Sequence, residues 1–255
     1  GLGDVYKRQG ILQSMRIQQA AGLNGNRYAT FHQLGKEQAQ KLHEDDRLYD
    51  VGDTIFIGST PLGNSSLSLY LREYHDNALS MYPAIGNVKE GRLPEEAIEI
   101  ALSEDALQYL GLDAVIGDTV SLDLSVSVMD GSLSELEYSA DFVLTGILES
   151  SYIGYASGTV EGIVGEGTAE ELLPEEYLLY STDFKTYDKQ NFQSIIYALA
   201  EDLNVDERYI QYNWVLLDAI GISYDEAADS DTGTGFSFMT AACILVGVLV
   251  LLAAG

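Results

Sequence analysis

The most regular alternation of apolar and polar side chains lies between residues 119 and 148. A period of two is typical of a strand with one buried side and one side facing solvent. The pair Asp130-Gly131 interrupts the alternation and is a strong turn signal. The segment therefore predicts a long antiparallel hairpin. Its apolar positions are Val120, Leu122, Leu124, Val126 and Val128 before the turn, and Leu136, Tyr138, Ala140, Phe142 and Leu144 after it.

Helical periodicity is clearest in residues 188–204, and residues 103–111 carry helix-end signals. In the second segment Ser103 can cap the N-terminus, acidic residues follow it, and Gly111 can close the C-terminus. Both segments are therefore predicted as helices. The apolar face of the longer one consists of Phe192, Ile195, Ile196, Leu199 and Leu203.

The remaining pattern predicts further strands and two short helices. Residues 36–47 form a polar helix with Ala39 and Leu42 facing inward, and residues 14–23 form a short helix or stalk. Residues 151–173 are rich in Gly and Ser and are predicted as a mobile loop. Strands are predicted in residues 26–35, 48–59, 65–74, 175–184 and 207–221.

These elements do not follow a strict alternation of strand, helix and strand. The pattern favours the α+β class, with a mixed, mainly antiparallel sheet and a long hairpin, followed by a transmembrane helix. We expect one extracytoplasmic domain over residues 10–228, with room for two subdomains. The opening residues 1–9, GLGDVYKRQ, lack an initiator Met and look like translated adapter sequence, so they are left out of the prediction.

The predicted transmembrane helix is the tail, residues 236–255, which holds no charged side chain. A helix of that length spans about 30 Å, the thickness of the hydrocarbon core of a bilayer. The preceding segment, with an acidic linker over residues 229–235, contains no Lys or Arg after Arg208. Positive charge marks the cytoplasmic flank of a membrane helix. We therefore expect a protein of the cell membrane with residues 10–235 outside the cytoplasm.

Net charge narrows the choice of partners. The chain of 255 residues has a formal charge of −27 at pH 7, and nucleic acid is an unsuitable partner because its phosphates are bound through Lys and Arg. The one cysteine, Cys243, lies in the tail and excludes an intrachain disulfide and a thiolate metal cluster.

The sequence offers no focused catalytic or metal-binding motif. His32, His43 and His75 lack the spacing of metal ligands, and no G-x-S-x-G sequence marks a nucleophile. Asp229 and Asp231 ahead of Gly233 are a fragment of a calcium loop without its remaining ligands, so a flexible acidic linker is favoured. No catalytic residue, metal site or cofactor is expected.

One stretch goes beyond periodicity, residues 90–124, EGRLPEEAIEIALSEDALQYLGLDAVIGDTVSLDL. It resembles the extracytoplasmic domain of MacB/FtsX-type ABC transporter permeases, and the returning strand with Phe142 and Gly146-Ile147 is similar to that family as well. We call the part of this stretch from residue 91 to residue 118 the Gly91–Asp118 motif. Its matching positions are Gly91, Arg92, Pro94, Glu99, Ile100, Ala101, Leu102, Ser103, Leu110, Gly111, Gly117 and Asp118.

The resemblance implies a permease subunit that does not hydrolyse ATP. Its implied partners are a cytoplasmic ABC ATPase subunit, a second permease subunit in a dimer, and membrane lipid. The family also implies a transmembrane helix before the domain and a second one after it. The implied activity is the export or extraction of a lipid, a peptide or a lipoprotein.

The motif residues themselves have a structural interpretation. Gly91 relieves the backbone at a turn, Pro94 fixes φ, and Arg92 is expected to anchor the turn by pairing with a carboxylate. Ile98, Ile100 and Leu102 are expected to form a buried strand face, and Gly117-Asp118 is expected to be the turn into the hairpin.

Two other functions fit parts of the sequence. The first is a membrane-anchored cell-surface binding protein with a C-terminal anchor, for which Ser230 and Thr232 supply the small residues of a removable GPI-type signal. The second is an anchored hydrolase, for which no nucleophile can be named.

Overall fold

The computed structural model describes residues 2–129 and 131–222. It contains α1–α7, β1–β10 and 3₁₀ turns at Leu79–Met81, Glu175–Tyr177 and Glu207–Tyr209. The helices are α1 (Leu2–Asn24), α2 (Lys36–His43), α3 (Glu104–Leu110), α4 (Tyr152–Ser157), α5 (Thr168–Leu172), α6 (Phe192–Leu203) and α7 (Trp214–Ile220). The strands are β1 (Ala29–Leu34), β2 (Leu48–Pro61), β3 (Ser68–Tyr74), β4 (Val88–Gly91), β5 (Glu99–Ser103), β6 (Thr119–Val126), β7 (Leu136–Leu148), β8 (Thr159–Val164), β9 (Tyr180–Thr186) and β10 (Ile210–Tyr212).

The ten strands form one sheet in the order β10-β1-β9-β2-β3-β8-β5-β7-β4, and β6 pairs with both β2 and β7. Among the strand pairs of the described residues, only β3–β8 and β5–β7 are parallel. The predicted α+β class with a mixed, mainly antiparallel sheet is thus confirmed. Because Ser59 of β2 pairs with Ser125 of β6, six strands close into a ring, β2-β3-β8-β5-β7-β6.

The predicted hairpin is β6–β7, and its register runs from Thr119 opposite Val143 to Val126 opposite Leu136. The buried side of β6 consists of the predicted Val120, Leu122, Leu124 and Val126. On the solvent-facing side, the Ser121 hydroxyl donates to the Asp141 carboxylate and the Ser139 hydroxyl donates to the Asp123 carboxylate, at 2.5 Å each. The connection is longer than a tight turn: it covers residues 127–135, Gly131 has a φ of +66°, and Asp130 lies outside the described residues.

Beyond the ring, β9, β1 and β10 extend the sheet from the first half of β2. This part buries the carboxylate of Asp183, which is 2% exposed. Asp183 accepts hydrogen bonds from Thr30 at 2.5 Å and Tyr82 at 2.7 Å, and Arg27 Nε lies 3.1 Å away. A buried carboxylate is tolerated only with such partners.

Helices α2, α3 and α6 are found where they were predicted. Ala39 and Leu42 of α2 are buried, and Phe192 of α6 packs edge-on against Tyr28 and Tyr212. The Ser103 hydroxyl accepts from the N–H of Ala106 at the start of α3.

Four predictions about elements are wrong. Residues 151–173 are not a loop but contain α4, β8 and α5, and β8 lies between β3 and β5. The strand predicted over residues 207–221 is only three residues long, because Asn213 ends it and caps α7. The strand predicted over 175–184 begins only at Tyr180, after a 3₁₀ turn. Ile98 lies before β5 and not on it, with a φ of +65°, and is half-buried against the core that contains Ile100 and Leu102.

The N-terminal helix is longer than the predicted residues 14–23. It begins at Leu2, so most of the opening excluded from the prediction is helical, and residues 3–16 are exposed along it. Within residues 2–129 and 131–222, no helix combines the length and the apolar character needed to cross a membrane. The predicted transmembrane helix 236–255, the acidic linker 229–235 and its calcium-loop fragment lie outside the described residues.

Replacing Phe142, which is fully buried in the hairpin, tests the ring of strands. Phe142→Ala is expected to lower the free energy of unfolding by about 3–5 kcal/mol, because it removes buried apolar surface and leaves a cavity. The next residue supplies the control, since Val143 is 42% exposed and Val143→Ala should cost about 1 kcal/mol or less. Urea unfolding followed by circular dichroism measures both, and equal losses would contradict this placement of the core.

Candidate functional site

The parts of the Gly91–Asp118 motif lie on β4, β5, α3 and the turns between them, and most of them meet on one strand, β7. The N–H of Arg92 donates to the carbonyl of Thr145 at 3.0 Å, and the N–H of Gly117 donates to the carbonyl of Leu144 at 2.8 Å. The N–H of Leu144 in turn donates to the carbonyl of Asp118 at 2.9 Å. On the other edge of β7, β5 pairs in parallel from Glu99 to Ser103. The motif therefore encloses the second half of β7 from both edges.

Two glycines allow the backbones of β4 and β7 to lie close together. Gly91 and Gly146 are directly paired between β4 and β7. A Cβ on Gly91 would lie 2.3 Å from the carbonyl oxygen of Thr145, and its φ of +76° is unfavourable for other residues. A Cβ on Gly146 would lie 2.2 Å from the carbonyl oxygen of Arg92. Neither position can carry a side chain without separating the strands.

Arg92 pairs with Glu99, which is therefore the carboxylate partner expected for Arg92 from the sequence. Its two terminal nitrogens lie 2.8 and 2.6 Å from the two Glu99 oxygens, a bidentate geometry. Glu99 also accepts from the backbone N–H groups of Glu95 and Glu96 at 2.8 and 3.1 Å. The hydrogen bonds from Arg92 and from these N–H groups lower the pKa of Glu99 to about 2. The half-buried Pro94 lies inside this closed turn.

The other motif residues have backbone and packing roles. Ile100 is fully buried in β5, and Asp118 accepts from the N–H of Val115 at 2.9 Å at the turn into the hairpin. Gly111 ends α3 with a φ of +71° and stands apart from β7. It lines an open groove of about 480 Å³ between α3 and residues 112–116, beside the exposed Val115 and Ile116.

A second group of polar side chains comes from three segments that are separate in sequence. Nε2 of His43, at the end of α2, lies 2.9 Å from Oδ2 of Asp53 on β2 and 3.8 Å from Oδ2 of Asp76, after β3. The ligand atoms of these three residues all lie within 4.8 Å of one another. We call them the His43–Asp53–Asp76 cluster. The hydrogen bond to Asp53 raises the pKa of His43 above its usual value.

His75 lies next to this cluster but has its own carboxylate partners. Its Nε2 lies 2.7 Å from Oε1 of Glu73, and its Nδ1 lies 3.3 Å from Oε1 of Glu166. Glu73 is 1% exposed and accepts from the N–H groups of Gly167 and Ala169. Burial alone would raise the pKa of Glu73, but the contact with His75 and the two N–H groups outweigh it and the pKa is lowered.

The third histidine, His32, is half-buried on β1. Its Nδ1 lies 2.9 Å from the Ser181 hydroxyl and its Nε2 lies 2.8 Å from Oε1 of Gln211, on the two strands flanking β1. Burial lowers the pKa of His32. No local sequence spacing could show the contacts of His43, because its two carboxylate partners lie ten residues and more away along the chain.

Comparison with known proteins adds a likeness of fold. No family model and no curated protein matches the chain. Among solved structures, the periplasmic region of MacB from Actinobacillus actinomycetemcomitans is similar, with 14% identity, a TM-score of 0.44, and coverage of 80% of this chain and 96% of the other. The extracellular domain of the noncanonic ABC-type transporter YknZ from Gram-positive bacteria is similar with 11% identity, a TM-score of 0.46, and coverage of 73% and 99%. The structural neighbours thus include the kind of domain that the Gly91–Asp118 motif resembles.

The Arg92–Glu99 pair can be tested by titration. Arg92→Ala is expected to raise the pKa of Glu99 from about 2 towards 4.5, stopping short of it because the two backbone N–H groups remain. Because the folded-state pKa is depressed, the pair stabilises the fold above pH 4.5 and the stability is lost as the pH falls towards 2. The stability difference between wild type and variant should therefore shrink over that range.

Carboxyl carbon chemical shifts in NMR measure the pKa, and acid unfolding measures the stability. Lys89→Ala is the control, since it breaks an exposed pair with Glu104 and leaves Glu99 untouched. A Glu99 pKa that is the same in Arg92→Ala and in wild type would show that Arg92 does not anchor the turn.

Proposed function

We propose that the chain is part of a permease subunit of a MacB/FtsX-type ABC transporter. In this proposal residues 10–228 are the extracytoplasmic domain, residues 229–235 are a linker and residues 236–255 are a transmembrane helix. The observation that carries the proposal is the Gly91–Asp118 motif, whose separate parts come together around β7 as one folded unit. Most of the resembling residues help to enclose β7. Such a resemblance is more specific than one whose residues are scattered over the fold.

The role proposed for the domain is mechanical. A separate cytoplasmic ATPase hydrolyses ATP and moves the membrane helices, and the domain transmits that motion to a lipid, peptide or lipoprotein substrate. Transmission of this kind requires a rigid body joined closely to its helices. A dimer with a second permease subunit and contact with membrane lipid belong to the same proposal, and the subunit itself performs no catalysis.

The ends of the described body support this role. Helices α1 and α7 pack against each other, and Asn213 joins them. Its side-chain amide donates to the carbonyls of Gly25 and Arg27 at 2.8 Å each, and its side-chain oxygen caps α7 at the N–H of Leu216. Asn213 is 2% exposed, so these bonds lie in the interior. The segment leading to the tail is thereby fixed to the segment that follows α1.

The linker tests the coupling in the complete transporter that contains this chain. A flexible Gly/Ser insertion within residues 229–235 is expected to abolish substrate movement while ATP turnover continues, because slack in the linker absorbs the motion of the helix. The same insertion in the hairpin connection at residues 132–134 is the control, since it lengthens the chain away from the linker. Transport that survives the linker insertion unchanged would count against the mechanical role.

The position of the body is tested by labelling in cells. In a Cys243→Ser background, Ser230→Cys is expected to react with a membrane-impermeant maleimide added outside, and Ala253→Cys is expected to react only after permeabilisation. Ser230 lies in the linker before the proposed helix, and Ala253 lies in the last turn of that helix, at its cytoplasmic end. Labelling of Ser230→Cys only in permeabilised cells would place the body in the cytoplasm and would contradict the proposal.

A further inference from the structure

We propose that the His43–Asp53–Asp76 cluster binds a divalent transition-metal ion, with Zn²⁺ as the best match. The cluster supplies one imidazole nitrogen and two carboxylate oxygens, and its ligand atoms lie within 4.8 Å of one another. Three protein ligands with a fourth position open to water is a common arrangement for Zn²⁺. The inference is independent of the transporter proposal.

The distances fit a small ion. Zn²⁺ bonds to nitrogen and oxygen of about 2.0–2.2 Å in a tetrahedron place neighbouring ligand atoms about 3.4 Å apart. His43 Nε2 lies 2.9 Å from the Asp53 oxygen and 3.8 Å from the Asp76 oxygen, on either side of that value. The Asp76 side chain is 61% exposed, so it can rotate to shorten the longer distance, and an ion between the three would also offset the repulsion of two carboxylates.

The carboxylate of Asp53 is held in its orientation by a second hydrogen bond. Asp53 is buried, and its Oδ1 accepts from the Thr182 hydroxyl at 2.6 Å. That bond leaves Oδ2 directed at His43, and a ligand oriented by a neighbouring group in this way is typical of metal sites.

A glycine brings Asp76 near. Residues 75–78 form a turn in which the N–H of Ala78 donates to the carbonyl of His75, and the N–H of His75 donates to the carbonyl of Asp53. A Cβ on Gly52 would lie 2.3 Å from the nitrogen of Ala78. Only a residue without a side chain at this position lets the turn that carries Asp76 lie against β2.

The ligand set also decides which ion fits. Ca²⁺ prefers six to eight oxygen ligands and Mg²⁺ an octahedron of oxygens, whereas an imidazole nitrogen suits Zn²⁺ and its transition-metal neighbours. His75 is not counted among the ligands, because it lies outside the group whose ligand atoms are within 4.8 Å of one another and has Glu73 and Glu166 as its own partners.

The test is a titration of the full 255-residue chain, held in detergent, with Zn²⁺ in a calorimeter. Binding of one ion is expected, with affinity lowered at least tenfold by Asp76→Asn and by His43→Ala. A chain with charge −27 also attracts cations loosely, so the control must remove one charge nearby without touching the cluster. Glu166→Gln does so, since Glu166 is 70% exposed and contacts His75 instead, and it should leave the affinity unchanged.

Co²⁺ in place of Zn²⁺ reports the coordination itself through its visible absorption bands, which should appear in wild type and in Glu166→Gln and vanish in Asp76→Asn. Because Asp76 is exposed, that variant keeps the fold, and its melting curve without metal checks this. Three results would each overturn the site: no saturable Zn²⁺ binding, equal weakening by Glu166→Gln and Asp76→Asn, or competition by Ca²⁺ with no effect of His43→Ala.

Discussion

Backbone pairing along β2 is the constraint on which the rest of the structure depends. The first half of this strand pairs with β9, the second half pairs with β3, and Ser59 pairs across to β6. The ring of six strands and the extension through β9, β1 and β10 therefore share one strand. A buried N–H or carbonyl left without a partner is costly, so a shift of β2 in either pairing would disturb both parts of the sheet together.

The same strand places the chemistry. Asp53 lies on β2, near the point where the pairing with β9 ends and the pairing with β3 begins. Thr182, whose hydroxyl orients the Asp53 carboxylate, lies opposite it on β9. The Gly91–Asp118 motif lies on the other side of the ring and contains no comparable cluster of titratable groups. Its one strong ion pair, Arg92 with Glu99, closes a turn. The part of the chain that is most recognisable in sequence thus maintains the fold, and the part with ligand geometry is not recognisable in sequence.

Local patterns predicted local structure well. The hairpin followed from a period of two, α6 from its apolar face, and α3 from Ser103 and Gly111. Strand β8 was missed because it is an interior strand of the sheet: Val160, Ile163 and Val164 are all buried, and Gly162 lies under Leu71 and Leu102, so no alternation marks it. Helix α7 was missed because Asn213 was not recognised as its cap. The His43–Asp53–Asp76 cluster was out of reach because only the pairing of β2 and β3 brings its members together.

The contact between α1 and α7 has a consequence for how force passes through the domain. Tension applied at α1 reaches α7 through the two amide hydrogen bonds of Asn213 and the packed helix faces, without crossing the ten-stranded sheet. Under the mechanical role proposed above, a pull on α1 would therefore move α7 with it and would leave the strand pairing of the sheet unloaded.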